Sequence, residues 1–409
     1  MIERTPQRIL GVTSLIVAVV ASGFLGGCTG PTKRGKEARA LANVKFNAVR
    51  SRVDYDQAEQ AFHSGSFIDA KRHLEAAIDK SSDQSEYWTL LGRVYLETGA
   101  LQDSLGSFEE AERLDPKNAD AKYFLGIIAE RLEKPFDAVD YYLAALDLAP
   151  SSSKMLVAAV DVLIGAAMHR EAEETLSRYG VAFDHDAAVL HLKGRVAMMN
   201  GEWDAAATHL EQSVLLDGED RWTLEDLARA QIAAGRTADG LVTIDRLFEM
   251  VDDGNKDREL MRLRGRCLVK GRRLREGRQA MLDLVNLYPE DVQGWIDFGL
   301  VCIQVEDFKR VLRAGQRLVV LEPQRFEGYF LLGQVAQQNR DFESALRLFT
   351  RSTELAPERI EPRLALGMCH ELRGELAAAY RIYANLAKDR PEDGRIRGRM
   401  TNVSTDLED

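Results

Sequence analysis

The spacing of the prolines constrains the fold of this chain more than any other feature. Consecutive members of one proline series are 34 residues apart, except for one step of 139 residues, which is three more than four such steps. The series consists of Pro116, Pro150, Pro289, Pro323, Pro357 and Pro391. Glycines keep the same interval and the same three-residue shift, which an insertion among turn-forming residues near 253–255 explains. A period of this length predicts stacked supersecondary units rather than one globular core.

Residues 85–118 show what one unit contains. Apolar and small side chains recur at helical spacing in the first half, at Trp88, Leu91, Gly92 and Tyr95. After a break at Gly99, a second series at helical spacing consists of Ser104, Phe108 and Ala111, ahead of Pro116. Each half therefore predicts a helix with one apolar stripe, and the proline ends the second helix. We expect Gly92 and Ser104 to let the two antiparallel helices approach closely.

This pattern resembles the tetratricopeptide repeat, whose signature is W-x2-L-G-x2-Y followed by small, aromatic and proline positions. Ten copies cover residues 51–393, and they begin at Ser51, Ser85, Ala119, Ser153, Ala187, Arg221, Arg258, Val292, Phe326 and Ile360. The weakest copy begins at Ser153, where Val160 replaces the glycine and Asp184 the proline. The resemblance implies an all-α fold, a right-handed α-α superhelix in which each copy stacks on the next.

The two ends of such a stack need covering. Residues 28–50 are predicted to form a tether and then a polar capping helix over 36–50, which covers the first copy. Residues 394–409 are predicted to form a C-terminal capping helix with an acidic tail.

The first 28 residues have the order of a secretory signal. Arg4 and Arg8 precede an uncharged apolar run over 9–25, and two glycines then lead to Cys28. The Leu-Gly-Gly-Cys end resembles the lipobox of bacterial lipoproteins, which implies cleavage before Cys28 and its acylation with fatty chains such as palmitate. The alternative is an uncleaved signal anchor, because residues 9–27 are long enough to span a bilayer.

Lipidation at Cys28 implies a place in the bacterial cell envelope, with the chain anchored to a membrane by two or more acyl chains. Thr29 stands where an aspartate would imply retention at the inner membrane. We therefore expect the outer membrane, with the chain facing the periplasm.

Composition and motifs argue against catalysis and against nucleic-acid binding. The net charge is −11, and an acidic chain is a poor general binder of nucleic acid or anionic membrane. The sequence contains no phosphate-binding loop, metalloprotease motif, nucleophile elbow or dinucleotide fingerprint. We expect no enzymatic activity, no cofactor and no metal. Adjacent copies place Cys267 and Cys302 near enough to pair, but two buried thiols are the favoured interpretation.

Positions 2, 5, 9, 12 and 13 of each copy line the inner wall of the superhelix in this family. Position 9 is arginine in three successive copies, and neighbouring basic residues extend a predicted basic stripe consisting of Arg195, Arg229, Arg266, His191, Arg262 and Lys270. Guanidinium groups bind carboxylates through paired hydrogen bonds, so this stripe is expected to bind an acidic peptide or polymer. The alternative is that carboxylates such as Glu225 and Glu259 neutralise the stripe as solvated pairs.

The last three copies carry apolar residues at the equivalent positions. They are Ile296, Leu300, Ile303, Phe330, Leu364 and Met368. An exposed apolar groove usually marks a protein contact, for instance with a partner helix. The alternative is that these side chains are packed inside the fold.

Taken together, these features favour a membrane-anchored scaffold or adaptor that binds protein or peptide partners in the envelope, such as the parts of an envelope complex. The second hypothesis is binding of an acidic peptide or envelope polymer through the basic stripe. Salt-sensitive retention on the polymer would distinguish it, because an apolar groove is much less sensitive to salt.

Overall fold

The computed structural model describes residues 32–218, 220–250 and 257–408, which form 21 α-helices and no strand. The first helices of the successive pairs are α1 (Lys33–His63), α3 (Ser85–Glu97), α5 (Ala119–Arg131), α7 (Ser153–Gly165), α9 (Ala187–Met199), α11 (Arg221–Ala233), α13 (Arg258–Lys270), α15 (Val292–Gln304), α17 (Phe326–Gln338) and α19 (Ile360–Leu372). The second helices are α2 (Phe67–Lys80), α4 (Leu101–Leu114), α6 (Pro135–Leu148), α8 (His169–Tyr179), α10 (Trp203–Leu216), α12 (Thr237–Met250), α14 (Leu274–Leu287), α16 (Phe308–Leu321), α18 (Phe342–Leu355) and α20 (Leu376–Asp389), and α21 (Gly394–Glu408) follows them. The predicted all-α class is confirmed, whereas the predicted signal, Cys28 and the insertion near 253–255 lie outside the described residues.

The chain divides into two compact units, Met1–Ala121 and Lys122–Asp409. In the described part of each unit, helices that follow one another pack together, and the first helices of adjacent pairs also touch. Apolar side chains from neighbouring pairs share one core, as Leu74 and Leu91 do in the first unit. In the second unit Trp295, Phe298 and Leu318 belong to such a shared core. Each pair therefore buries its apolar stripe against the next pair.

Close approach within a pair depends on a small residue of the first helix. In α3, a Cβ atom added at Gly92 would lie 2.7 Å from the ring of Phe108 on α4. Ser104 of α4 donates a hydrogen bond of 2.7 Å to the carbonyl oxygen of Gly92. The interpretation of Gly92 and Ser104 as the small residues of a tight helix pair is confirmed.

The turn inside every pair passes through one residue with left-handed backbone, with φ between 57° and 85°. These residues are Gly65, Gly99, Glu133, Ala167, Gly201, Gly235, Arg272, Glu306, Arg340 and Gly374. Half of them are not glycine, so the residue type alone does not identify the position. The backbone repeats more regularly than the sequence does.

The two ends of the described chain differ. The helix predicted over 36–50 is not a separate cap, because α1 runs without a break from Lys33 to His63 and residues 36–50 are exposed throughout. At the other end, α21 buries Ile396 and Val403 against Tyr383 and Leu386 of α20. The C-terminal helix therefore covers the last pair, whereas the basic first half of α1 covers nothing that the structure describes.

The copy that begins at Ser153 departs from the others at its second helix. Helix α8 ends at Tyr179 after 11 residues, and a 3-10 helix, Gly180–Phe183, follows where six of the other copies reach a proline. Val160 is buried in α7 at the position where most other copies have glycine. Ala172 of α8 is also fully buried, so the small position of the second helix is kept.

Candidate protein-interaction surface

The residues of the predicted basic stripe lie on α9, α11 and α13, which are neighbouring first helices of the second unit. Arg195 Nη1 lies 2.7 Å from Asp161 Oδ1 on α7. His191 Nε2 lies 3.1 Å from Asp226 Oδ2 on α11. Both contacts join one helix pair to the next, because the partners are about one repeat apart in the sequence.

Helix α11 contributes two arginines that share one carboxylate. Arg221 Nε lies 2.7 Å and Arg229 Nη2 lies 3.1 Å from the two oxygens of Glu225, whose side chain is almost completely buried. Arg229 Nη1 also lies 3.0 Å from Asp226 Oδ1. Arg221 Nη2 reaches Asp257 Oδ2 at 2.7 Å, just before α13 begins.

Helix α13 continues the same pattern toward α15. Arg262 lies 2.5 Å from Glu259 and 2.6 Å from the buried carboxylate of Asp291. Arg266 Nε lies 2.6 Å from Asp297 Oδ2 on α15. The ammonium group of Lys270 has no such carboxylate in the described residues, but it donates a hydrogen bond of 2.9 Å to the backbone carbonyl of Ala233.

These contacts fall into four groups on neighbouring helices, which together we call the ion-pair ladder. It comprises five guanidinium groups, one imidazole and seven carboxylates, from Arg195, Arg221, Arg229, Arg262, Arg266, His191, Asp161, Glu225, Asp226, Asp257, Glu259, Asp291 and Asp297. Carboxylates outnumber guanidinium groups, so the geometry corresponds to the alternative in which neighbours neutralise the stripe. The cations are held in place by this chain's own acids, which leaves an acidic ligand to compete with them.

Contacts within the ladder lower the pKa of two of its carboxyl groups, Asp226 and Asp257. Burial tends to raise the pKa of Asp226, but hydrogen bonds from His191 and Arg229 outweigh it and the pKa is lowered. Asp257 behaves alike: burial opposes the shift, while the backbone N–H of Leu260 and the guanidinium group of Arg221 lower its pKa. Both carboxylates therefore stay charged at neutral pH and bind their basic partners.

The six predicted apolar residues do not form one exposed groove. Ile296 is buried in the core beside Phe298, and Ile303 and Phe330 are partly buried against the same core. Leu364 and Met368 pack on the cluster around Tyr383 of α20. Leu300 is the exception among the six, with 42% of its surface exposed. The other five are buried or partly buried by packing, as the packing alternative expects.

An exposed tryptophan next to the ladder was not singled out by sequence analysis. Trp222 of α11 is 69% exposed. It occupies position 2 of its copy, and Asp226 and Arg229 follow it at four and seven residues, so the three share one helix face. A large aromatic side chain among ordered charges is a frequent centre of protein contacts. The sequence does place Trp222 at position 2, an inner-wall position, but that position alone does not show whether the side chain is buried.

The described residues also define the state of three cysteines, the apolar content of the helices and the grouping of side chains that could hold a metal ion. Cys267, Cys302 and Cys369 are free, buried thiols, which confirms the interpretation as packed side chains. Within the described ranges no helix has the length and hydropathy needed to cross a bilayer. In the same ranges no group of three histidine, cysteine or acidic side chains is arranged to hold a metal ion.

Family models described as tetratricopeptide repeat match residues 55–119 and 101–153, and a further one matches residues 336–402. Among curated proteins, Cellulose synthase 2 operon protein C of Komagataeibacter xylinus is 24% identical over 196 residues. That match covers 43% of this chain and 15% of the length of the relative.

Two solved tetratricopeptide repeat proteins are also similar to this chain. A tetratricopeptide repeat protein from Parabacteroides merdae is 16% identical, with 62% of this chain and 98% of that chain covered at a TM-score of 0.43. YrrB, described as a TPR protein with an unusual peptide-binding site, is 19% identical, with 46% and 95% covered at a TM-score of 0.38.

Proposed function

Because the chain is a tetratricopeptide repeat protein, we propose that it is a scaffold tied by lipid at Cys28 to a membrane of the bacterial envelope, where it holds a protein partner. The repeats and the partial match to a cellulose synthase operon protein support a role in protein–protein interaction. Folds of this type are typically non-catalytic. The proposal further specifies that the membrane is the outer membrane and that the scaffold serves the assembly of an envelope complex.

The observation that carries the proposal is the exposure of Trp222 on the face that also bears the ladder. Burying a tryptophan in an interface removes a large apolar surface from water. The partly exposed guanidinium groups of Arg195, Arg229 and Arg266 lie on α9, α11 and α13, that is, on the helix of Trp222 and on the first helices of the two adjacent pairs. We propose that the partner packs on Trp222 and makes polar contacts with these arginines at the rim, where Leu300 adds a second apolar contact.

The partner-binding site is tested by replacing Trp222 with alanine. The matched control is Phe136→Ala, which removes an aromatic side chain of similar exposure, 64%, from a second helix instead of a first helix. Each tagged chain is crosslinked in its native envelope, purified and analysed by mass spectrometry. We expect one protein to be captured by the parent chain and by Phe136→Ala and to be lost with Trp222→Ala. Equal capture by both variants would exclude this surface.

The anchor is tested separately through Cys28. Mass spectrometry of the purified mature chain is expected to show Cys28 as the first residue, carrying acyl groups. In a Cys28→Ser chain, residue 28 is expected to carry no acyl group. A mature chain with unmodified Cys28 in the soluble fraction would refute the anchor and leave the interaction surface untouched.

A further inference from the structure

The first half of α1 has a charge opposite to that of the rest of the chain. Residues 33–50 contain six basic side chains and one acidic side chain, a net charge of +5, whereas residues 51–409 carry −17. None of these six basic groups forms an ion pair with a carboxylate of the described residues; they belong to Lys33, Arg34, Lys36, Arg39, Lys45 and Arg50. The segment therefore presents uncompensated positive charge, unlike the ion-pair ladder.

The same segment also exposes large apolar side chains. Leu41, Val44, Phe46 and Val49 are each more than half exposed, although they belong to a continuous helix. A folded protein usually covers a contiguous apolar surface of this kind. Nothing in the described structure covers these four residues, so their side chains present apolar surface to water.

Part of the polar surface of this segment lies along one side of the helix. Polar side chains follow one another at steps of three, four, four and three residues, which places them along one side: Lys36, Arg39, Asn43, Asn47 and Arg50. The four apolar residues lie on the remaining sides, together with the charged side chains of Lys33, Arg34, Glu37 and Lys45. Lys45 lies among them, where a long side chain can bury its methylene groups and still reach a polar surface with its ammonium group.

We propose that residues 33–50 bind the surface of an anionic lipid bilayer. The basic groups would neutralise lipid phosphates, and the apolar groups would enter the boundary between headgroups and acyl chains. This inference goes beyond partner binding and does not require acylation of Cys28. In this arrangement, α1 holds the N-terminal end of the repeats against the bilayer. The acidic remainder of the chain is repelled by the anionic lipid surface.

The experiment uses the chain from residue 29 onward, which contains every described residue and lacks both the apolar signal and Cys28. Sedimentation measures its binding to phosphatidylcholine vesicles with and without phosphatidylglycerol. We expect binding to the anionic vesicles that falls with added salt. Since each cation contributes about fivefold to such binding, the triple variant Lys36→Glu, Arg39→Glu and Arg50→Glu is expected to weaken it at least about a hundredfold.

The matched control changes the net charge by the same amount elsewhere, through Arg275→Glu, Lys309→Glu and Arg397→Glu at exposed positions. It is expected to keep binding near the parental level. Circular dichroism checks that both variants remain helical. Equal loss in the two triple variants would overturn the proposal, since net charge alone would then explain binding. So would absence of binding by the parent chain, or concentration-dependent dimerisation through α1 without vesicle binding, which would make a second copy the occupant.

Discussion

At the scale of single residues, the close contact between Gly92 and Phe108 limits which side chains position 92 can accept. A methyl group at Gly92 would meet the aromatic ring at 2.7 Å. We expect Gly92→Ala to lower the free energy of unfolding by about 1 to 3 kcal/mol, the usual cost of overpacking a core. The control is Gly106→Ala in α4, where a Cβ atom meets nothing within 4 Å. There alanine is expected to stabilise by about 0.5 to 1 kcal/mol. Urea unfolding of both variants is the measurement, and a Gly92→Ala protein as stable as the parent would contradict the packing argument.

The described cysteines provide a second prediction at this scale. Burial raises the pKa of the Cys267 thiol to about 11 and that of Cys302 to about 12. In a Cys28→Ser chain we expect iodoacetamide to leave both thiols unmodified in the native state at about pH 8, because the thiolate is the nucleophile. Labelling should become rapid in urea. Rapid labelling without urea, or a mobility change on reduction, would disagree with two buried free thiols.

At the scale of elements, the turn between the two helices of each pair requires left-handed backbone whichever residue occupies it. Ala167 adopts φ 58° and Gly99 adopts φ 78° at equivalent places. This conformation costs a residue with a side chain about 1 to 2 kcal/mol, part of which the entropy of glycine offsets. We expect Ala167→Gly to raise stability by up to about 1 kcal/mol and Gly99→Ala to lower it by a similar amount. Thermal unfolding of the two variants should shift in opposite directions, and shifts of the same sign would show that the turn is not the cause.

At the scale of the whole molecule, the ion-pair ladder joins successive helix pairs of the second unit, so protonation of its carboxylates weakens the contacts between those pairs. The folded-state pKa of Asp226 is lowered below its ordinary value of 3.8. Its contribution to stability is therefore present above that value and is lost as the pH falls through the lower, folded-state pKa. We expect Asp226→Asn to cost about 1 to 3 kcal/mol at neutral pH.

The same variant is expected to show a smaller loss of stability on acidification from about pH 5 to pH 3 than the parent chain. The control is Asp204→Asn, at an exposed aspartate of α10 outside the ladder, which should follow the parent at each pH. Chemical unfolding at several pH values measures both. Parallel pH profiles for Asp226→Asn and the parent would remove Asp226 from the acid response.

The local sequence pattern predicted most of the helices correctly. The helical spacing of Trp88, Leu91 and Tyr95 predicted α3, and nine of the ten copy starts coincide with the first residue of a helix. The first start, Ser51, instead lies inside α1. The tetratricopeptide repeat assignment is confirmed by family models over residues 55–153 and 336–402. The membrane anchor at Cys28 stays a prediction.

The candidate site was less predictable, because the partners of its residues lie on other helices. Arg195 looked like a free cation beside Arg229 and Arg266, yet its nearest acid is Asp161, 34 residues earlier in the chain. Ile296 looked like a groove residue, yet stacking of the following pair buries it. Conversely, Trp222 is exposed because no neighbouring helix in the described chain packs over its side chain, and the sequence of its own copy does not show this.

The sequence by itself determined the repeating helix pair, because helix periodicity, small residues and terminating prolines act over a few residues within one copy. Only the tertiary structure decided which charges pair and which apolar side chains remain in water. Those outcomes depend on distances between copies, where a side chain meets residues about 34 positions away. It also decided that the basic start of α1 extends from the first pair uncovered, since no neighbouring helix in the described chain packs on it.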